Sequence, residues 1–238
     1  MSLLAVRNAM RILTDGRRTF EVWIEDLVLG PGMRKAIVGP SGSGKTTAMD
    51  MLALASAPDG CDRLVLQETG RRPVDLLRYS AGRLSRVRAR RFGYVLQTSG
   101  LLPFLTIGEN VALPQRLAGR GDRREIRRLL AALDLDVPLS TMPSELSVGQ
   151  RQRVAIARAL AHHPDFVFAD EPTAALDPAS AARVMHLLTE LAAQRGAAVL
   201  VISHNVELME AHGFEILPVH FTTEQDRSWS FIGERVAA

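Results

Sequence analysis

Short apolar runs alternate with stretches of helical periodicity along this chain. The runs are brief, rich in β-branched residues and flanked by polar segments, which favours buried strands over helices. They cover residues 36–38, 64–66, 94–96, 166–169 and 198–202. The pattern therefore predicts strands spread through the whole chain.

Apolar residues at helical spacing fill the intervals between these runs. Thr106 and Asp122 precede two of these intervals as candidate N-caps. Strands that alternate with helices predict an α/β fold with a mainly parallel sheet. Residues 99–146 contain helical patterns and no good strand, so they are predicted to be a helical insertion. The predicted helices are residues 46–55, 107–117, 122–133, 148–161 and 178–193.

Composition narrows the class of protein. The 238 residues are 47% apolar and 23% charged, which excludes a disordered or fibrous chain and suits one or two globular domains. A single cysteine, Cys61, excludes an internal disulfide and a zinc site with several cysteines. The N-terminal segment lacks a signal-peptide pattern, and no apolar stretch approaches the roughly 20 residues of a membrane-spanning helix. We therefore expect no intrinsic membrane span.

The positive charge is almost entirely arginine. The chain has a net charge of +3 with only two lysines, Lys35 and Lys45. Such a basic chain suits nucleic acid or an anionic membrane surface as partner. However, the arginine clusters in residues 71–91 and 120–128 lack interleaved aromatic residues that could stack on bases. A solvated face is the simplest interpretation, and contact with an acidic partner or lipid head groups stays open.

A glycine-rich segment matches the P-loop pattern between a predicted strand and a predicted helix. Glycines allow the backbone to turn its N–H groups toward phosphate oxygens, and the helix N-terminus adds a favourable dipole. The Lys45 ammonium is expected to neutralise the β- and γ-phosphates, and the Thr46 hydroxyl to hold Mg²⁺. The alternative is a glycine-rich structural turn. The candidate nucleotide-binding residues are Gly39, Pro40, Ser41, Gly42, Ser43, Gly44, Lys45, Thr46 and Thr47.

Two adjacent acids follow the apolar run at residues 166–169. Ligands of α/β sheets bind at the carboxyl ends of strands, so Asp170 is expected to hold Mg²⁺ through water. Glu171 is placed to accept a proton from an attacking water molecule. The alternative is a solvated acidic turn.

Five motifs follow one another along the chain: the P-loop, Gln97 after residues 93–96, the segment 146–150 with the helix that follows it, the segment 170–177, and His204 at the end of residues 199–204. In this order they resemble the motifs of the ATP-binding subunit of ABC transporters over nearly the full length of the chain. The resemblance implies a P-loop NTPase with the ABC ATPase fold, a mainly parallel core sheet, an N-terminal antiparallel β portion and a helical subdomain. It implies a single domain, residues 1–238, with a RecA-like core at about 1–98 and 147–238 and a helical subdomain at about 99–146.

The resemblance also implies roles for these residues in ATP hydrolysis with Mg²⁺. Two cassettes would pack head to tail, and Ser147, Gly149 and Gln150 would bind the γ-phosphate of the ATP held by the other cassette. A serine ahead of a helix that starts near residue 148 is a good anion site on physical grounds alone. Asp177 would contact the opposite cassette. The implied catalytic residues are Glu171, His204, Gln97 and Lys45, and the implied metal-binding residues are Thr46, Gln97 and Asp170.

Two positions depart from the family pattern. Val148 stands where the family usually has glycine, and its Cβ is expected to hinder close approach to phosphate. The region before the P-loop that usually supplies an aromatic residue for adenine contains none. Ile12 is the expected adenine contact, and adenine is expected to bind more weakly because an aliphatic side chain lacks a flat π-face.

Several segments are most similar to the group of ATPases for lipoprotein release, macrolide export and cell division. The similarity implies export or mechanotransmission with a separate integral-membrane permease, a second cassette as homodimer partner, and a position at the cytoplasmic face of the inner membrane. Nucleic acid is not an expected partner. The alternatives are an ABC ATPase that acts on nucleic acid or the ribosome, and a nucleotide-binding regulator of low turnover. The segments are residues 100–114, residues 143–146 and the short C-terminal tail.

Overall fold

The strands of the protein form one continuous mixed sheet in the computed structural model, which describes residues 2–233. The order across this sheet is β5-β4-β1-β2-β10-β9-β3-β8-β7-β6 in the numbering below. The strands are β1 Ser2–Thr14, β2 Thr19–Leu29, β3 Arg34–Val38, β4 Arg63–Glu68, β5 Val74–Asp75, β6 Phe92–Val95, β7 Phe166–Asp170, β8 Ala198–Ser203, β9 Glu215–Glu224 and β10 Arg227–Ile232.

The half of the sheet from β9 to β6 is parallel, as the sequence predicts. Every residue of β7 and β8 is buried, because helices cover both faces of a parallel sheet. The carboxyl ends of β3, β7 and β8 lie side by side, since Val38 pairs with Ser203 and Asp170 pairs with Ile202. The segments that follow these three strands therefore share one edge of the sheet.

The other half is the expected N-terminal antiparallel portion, in which β1 pairs with β2 and β4. The structure adds two C-terminal strands that the apolar pattern does not predict. Residues 215–218 of β9 pair with β3, and residues 219–224 pair with β10, which in turn lies parallel to β2. The strand β9 therefore joins the two halves of the sheet.

The helices agree with the predicted positions where a cap or a breaker marks their ends. Asp122 accepts hydrogen bonds from the N–H groups of Arg124 and Glu125 and begins α4. The first helix ends earlier than predicted, before Leu54, which has a positive φ of 57°. Within residues 2–233, no helix combines the length and the apolarity that a membrane crossing requires. The helices are α1 Lys45–Leu52, α2 Ala81–Arg91, α3 Ile107–Leu117, α4 Arg123–Ala132, α5 Val148–Leu160, α6 Pro178–Ala193 and α7 Val206–Ala211.

The predicted helical insertion holds α3 and α4, and it shares its apolar core with the sheet. Ile107 of α3 and Leu129 of α4 belong to the same buried cluster as Ile156 of α5 and Val167 of β7. A second buried cluster joins α1 to the antiparallel half and to the opposite face of the parallel half. The division into a core and a helical subdomain stays a prediction, and its outer limits include Met1 and residues 234–238, which lie outside the described residues.

Candidate active site

The P-loop wraps the start of α1 at the carboxyl end of β3. A Cβ on Gly39 would lie 2.7 Å from Cβ of Val219, and a Cβ on Gly44 would lie 2.6 Å from Cγ2 of Val22. Gly44 also has a φ of +81° and caps α1. Only glycine fits these two positions, because the loop is pressed against β9 and β2. The turn therefore presents its own backbone rather than side chains, as phosphate binding requires.

Lys45 is folded back onto this loop. Its Nζ donates to the carbonyl oxygens of Gly39 at 2.9 Å and Pro40 at 2.7 Å, and the residue is only 5% exposed. Burial lowers the pKa of the Lys45 ammonium, while the carboxylates of Glu171 and Asp170 act in the opposite direction. A buried ammonium that binds only neutral carbonyls is ready to exchange them for phosphate oxygens, which form stronger charge-assisted hydrogen bonds.

Asp170 meets Thr46 across the same edge. The Thr46 hydroxyl donates to Oδ2 of Asp170 at 2.9 Å, and Asp170 is 8% exposed. Burial raises the pKa of the Asp170 carboxyl, and the hydrogen bond from Thr46 partly offsets this. Hydroxyl and carboxylate oxygens beside a phosphate loop fit Mg²⁺, which binds through few protein oxygens together with substrate phosphates. The part of the chain that the structure describes has no cluster of three or more acidic, histidine or cysteine side chains that could bind a metal by itself.

Glu171 lies between His204 and Gln97. Its Oε1 is 2.5 Å from Nε2 of His204, and its Oε2 accepts a hydrogen bond from Nε2 of Gln97 at 3.3 Å. Glu171 has a φ of +43°, an unfavourable conformation for a residue with a Cβ that is typical of functional sites. Its N–H donates to the carbonyl of Ile202 at 3.0 Å, which fixes the turn after β7. The carboxylate is therefore aimed out of the sheet edge, between an imidazole and an amide.

A cleft of about 490 Å³ opens beside this carboxylate. Glu171 and His204 form part of its wall, together with Ser203, Asn205 and Glu207 from the end of β8 and the start of α7. Water has access to the Glu171 carboxylate here, so the arrangement can activate a water molecule.

The second predicted group lies around the start of α5. The hydroxyl of Ser147 accepts from the N–H of Gln150, and the Gln150 side chain accepts from the N–H of Ser147. Val148 is the first residue of the helix and is 48% exposed. Gly149 faces Leu176 with ordinary contact distance for an added Cβ. Among the described residues, no hydrogen bond joins this group to the P-loop of the same chain.

Asp177 is also separate from the phosphate loop. It is exposed and caps α6 by accepting a hydrogen bond from the N–H of Ser180 at 3.0 Å. The hydrogen bonds from Ser180 lower the pKa of the Asp177 carboxyl. The structure thus brings Lys45, Thr46, Asp170, Glu171, His204 and Gln97 together, and leaves Ser147, Gly149, Gln150 and Asp177 on the surface.

The expectation that Ile12 contacts adenine stays a prediction, and the structure places this residue on the face of β1 that points away from the P-loop. Ile12 pairs with Glu21, whereas Leu13 pairs with Phe20. The ring of Phe20 lies 3.0 Å from the position of a Cβ on Gly44, so it lies on the P-loop side. Directly opposed residues in an antiparallel pair share a face, and neighbouring residues alternate. Leu13 is therefore on the P-loop side of β1 and Ile12 on the opposite side.

Some residues that support the site from other elements are not predicted from the sequence. The Ser230 hydroxyl donates to the carbonyl of Ser43 at 2.6 Å and holds the P-loop from β10. The Tyr94 hydroxyl donates to Oδ1 of Asp50 at 3.0 Å, so it ties the strand before Gln97 to α1. Burial raises the pKa of Tyr94 far above its usual value. The sequence offers no signal for these two contacts, because each joins residues that are far apart in the chain.

Comparisons with known proteins identify the family and several relatives of this chain. A family model described as ABC transporter matches residues 26–174. The lipoprotein-releasing system ATP-binding protein LolD of Shewanella sp. (strain MR-7) is 39% identical over 211 residues, which cover 87% of this chain and 88% of that protein. The macrolide export ATP-binding/permease protein MacB of Marinobacter nauticus is 42% identical over 186 residues, which cover 77% of this chain and 28% of that protein.

Two solved structures are also similar to this chain. The dimeric structure of MJ0796, described as a bacterial ABC transporter cassette, has a TM-score of 0.77 and 29% identity over 90% of this chain and 93% of that chain. A dimeric post-hydrolysis state of MJ0796, bound to ADP and Pi, has a TM-score of 0.77 and 28% identity over 94% of this chain and 95% of that chain. The fold thus agrees with that of these cassettes.

Proposed function

This chain belongs to the ABC transporter family as an ATP-binding, ATP-hydrolysing subunit, and we propose that it powers a separate integral-membrane permease in export or mechanotransmission across the cell envelope. One observation carries the proposal. Lys45, Thr46, Asp170, Glu171 and His204 converge at the edge where three parallel strands end. The names of LolD and MacB, lipoprotein-releasing and macrolide export, support a task at the cell envelope.

The proposed chemistry is attack of water on the γ-phosphate of ATP. The backbone N–H groups of the P-loop bind the phosphates, and Lys45 exchanges the carbonyls of Gly39 and Pro40 for phosphate oxygens. Glu171 accepts the proton of the attacking water, and His204 stabilises the γ-phosphate while it holds the Glu171 carboxylate in place. Gln97 hydrogen-bonds to Glu171 from the start of the helical insertion, so it is suited to report the state of the site to that insertion.

Mg²⁺ fits the oxygen atoms of Thr46 and Asp170, and Gln97 is a further candidate ligand that contacts the neighbouring Glu171. When bound, this ion supplies positive charge that neutralises the phosphate oxygens during attack. The Thr46 hydroxyl, which donates to Asp170, and the Asp170 carboxylate would hold the ion. These assignments are proposals that rest on the donor set and on the position of the pair beside Lys45.

A second copy of the chain completes the proposed site. Ser147 and Gly149 start α5 on the surface, where the helix N-terminus can face an anion held by another molecule. Gln150 fixes the orientation of Ser147 through the capping box, and Asp177 is exposed for contact across the same interface. The dimeric MJ0796 cassettes support this arrangement.

An apolar groove lies next to the insertion and is suited to binding a segment of the permease. Its volume is about 440 Å³, and Leu96, Leu102, Leu113 and Leu117 contribute much of its wall. Leu117 is 66% exposed, which is unusual for a large apolar side chain and typical of an interaction site. We propose that an apolar segment of the permease occupies this groove and holds the chain at the cytoplasmic face of the inner membrane.

Co-purification of the tagged chain from membranes tests the partner. We expect an integral-membrane protein at fixed stoichiometry, and Leu117→Glu should abolish its recovery while the isolated chain retains ATP hydrolysis. Leu77→Glu, at another exposed leucine, is the matched control and should retain both. Enrichment of DNA or ribosomes without a membrane protein would overturn the transport proposal and favour the alternative class of ABC ATPases.

A further inference from the structure

The outer face of the antiparallel half carries an aromatic surface that the nucleotide site does not use. Val22 and Ile24 of β2 are fully buried on the inner face, so Trp23 lies on the outer face by strand alternation. Phe231 pairs with Trp23 across β10 and β2, and the two rings stack with centroids 6.3 Å apart. Trp229 lies two residues before Phe231 on the same face. Both tryptophans of the chain therefore belong to this surface.

These rings line an open groove of about 600 Å³, which we call the outer groove. It runs over β1, β2 and β10, and the loop before β4 forms one of its walls. Its lining is Asn8, Met10, Glu21, Trp23, Glu25, Gly60, Cys61, Asp62, Trp229 and Phe231.

The charges in the outer groove are all negative. Glu21, Glu25 and Asp62 contribute carboxylates, and the described residues that line the groove include no lysine, arginine or histidine. Oε2 of Glu21 accepts a hydrogen bond from Nε1 of Trp23 at 3.1 Å, so this acid is held against the aromatic floor. The chain as a whole has a net charge of +3, and this local reversal is therefore distinctive.

Aromatic rings flanked by carboxylates are suited to binding cationic side chains. Arginine and lysine stack their cationic groups on tryptophan faces and pair with nearby acids, while apolar side chains cover the remaining ring surface. Nucleic acid and anionic lipid head groups are repelled by three carboxylates. The groove is thus complementary to a basic segment that also carries apolar residues.

We propose that the outer groove binds a basic, partly apolar cytosolic segment of the membrane subunit. The cytosolic segments of membrane proteins are enriched in lysine and arginine, which supplies the required charge. This inference rests on the proposed function, since it presumes a membrane subunit. It adds a second contact, on the face of the antiparallel sheet, to the contact at the apolar groove beside the insertion.

Intrinsic fluorescence gives a direct test, because Trp23 and Trp229 are the two tryptophans of the chain and both line the groove. The probe is a short synthetic peptide of alternating arginine and leucine. We expect a saturable change in tryptophan emission that weakens as salt is raised, and no change with a matched peptide of glutamate and leucine. An equal response to both peptides, or none to either, would overturn the proposal.

Charge variants localise the binding. Glu21→Gln combined with Glu25→Gln should weaken binding of the arginine peptide about tenfold, because two carboxylates that can pair with its arginines are lost. Asp136→Asn combined with Glu210→Gln makes the same change in net charge at exposed positions elsewhere, and its affinity should equal that of the unmodified chain. Equal loss in both double variants would show that net charge alone attracts the peptide, which contradicts a groove.

Photocrosslinking in the purified assembly identifies the occupant. Benzoylphenylalanine in place of Trp229 keeps an aromatic ring in the groove, and it should crosslink to a lysine- and arginine-rich cytosolic segment of the membrane subunit. The same residue in place of Met33, an exposed position before β3, should give no such product. Crosslinks from position 229 to another copy of this chain, or to lipid, would overturn the assignment.

ATP hydrolysis by the isolated chain separates this inference from the proposed function. The Glu21→Gln, Glu25→Gln variant should hydrolyse ATP at the unmodified rate, because neither residue belongs to the nucleotide site. If the unmodified chain fails to hydrolyse ATP, the proposed function fails. If hydrolysis and permease co-purification persist while peptide binding is absent, only the outer groove proposal fails.

Discussion

The phosphate end of the candidate site differs sharply from the base end. At the phosphate end, the Thr46 hydroxyl lies 2.9 Å from Oδ2 of Asp170, and Oε1 of Glu171 lies 2.5 Å from Nε2 of His204. At the base end, β1 offers the half-exposed Leu13 opposite Phe20 and no aromatic ring of its own. The phosphate end therefore offers more polar and charged contacts than β1 offers at the base end.

The contrast has a physical basis. Charge-assisted hydrogen bonds contribute about 1.5–3 kcal/mol each, and several act together on the phosphates. Stacking on an aromatic ring contributes about 1–3 kcal/mol for one base. A chain without an aromatic ring on β1 lacks one stacking contact with the base but retains the stronger hydrogen bonds to the phosphates. Changes at the phosphate end should consequently have larger effects than changes at the base end.

Glu171→Gln should produce the largest effect. Loss of the general base is expected to lower kcat for ATP hydrolysis by about 10³-fold, while ATP still binds and an ATP-bound dimer accumulates. Steady-state hydrolysis and size-exclusion chromatography measure the two results. Glu207→Gln, at an acid that lines the same cleft, is the control and should retain turnover. Full turnover by Glu171→Gln would show that another group accepts the proton.

Lys45→Ala should weaken ATP binding by roughly 30- to 100-fold, because one ammonium contacts two phosphates. Lys35→Ala is the natural control, since Lys35 is the other lysine and pairs with Glu215 at 2.6 Å on the β3–β9 ladder. Calorimetric titration of ATP measures both variants. Similar affinities in the two variants would mean that the buried Lys45 does not leave the loop carbonyls.

Leu13→Tyr should strengthen ATP binding by about five- to tenfold, because it places a flat ring on the face of β1 that Phe20 shares with the P-loop. Ile12→Tyr adds the same ring on the opposite face and should leave the affinity unchanged. Titration with ATP and with inorganic triphosphate distinguishes a base contact from a phosphate effect. A gain in Ile12→Tyr instead would contradict the assignment of the two faces.

Val148→Gly should have the smallest effect, a two- to fivefold increase in ATP-dependent dimerisation of a hydrolysis-deficient background, because it removes an exposed Cβ at the first position of α5. Val206→Gly makes the same change at the first position of α7 and should have no effect on the dimer. Analytical ultracentrifugation with ATP measures the difference. A loss of dimer in Val148→Gly would mean that the valine contacts the second cassette favourably.

The parts of the fold that the sequence predicts well have local causes. The predicted limits of α3 and α6 agree with the structure, because Thr106 and Asp177 cap them with their own side chains. The P-loop is also predictable from local sequence, since its glycines, lysine and threonine all lie within residues 39–46. In contrast, α2 has no buried residue, so its sequence lacks the apolar stripe that reveals a helix.

The base end could not be predicted in the same way. Ile12 and Leu13 are neighbours of similar size and hydrophobicity, and the sequence offers no reason to choose between them. The register of β1 on β2 decides the choice, because a shift by one residue exchanges the two faces of a strand. The same register puts Trp23 on the outer face and Val22 against Gly44.

By itself, the sequence determined that this chain holds phosphate, hydrolyses ATP and follows the ABC motif order, because those functions use residues within short segments of fixed spacing. Tertiary structure alone decided that Glu171 meets His204 and Gln97 and that Leu13 rather than Ile12 lies on the P-loop face of β1. It also decided that both tryptophans line one groove together with three acidic residues. The physical reason is that strand pairing and crossover connections bring together residues far apart in the chain, and neither is encoded in any single segment.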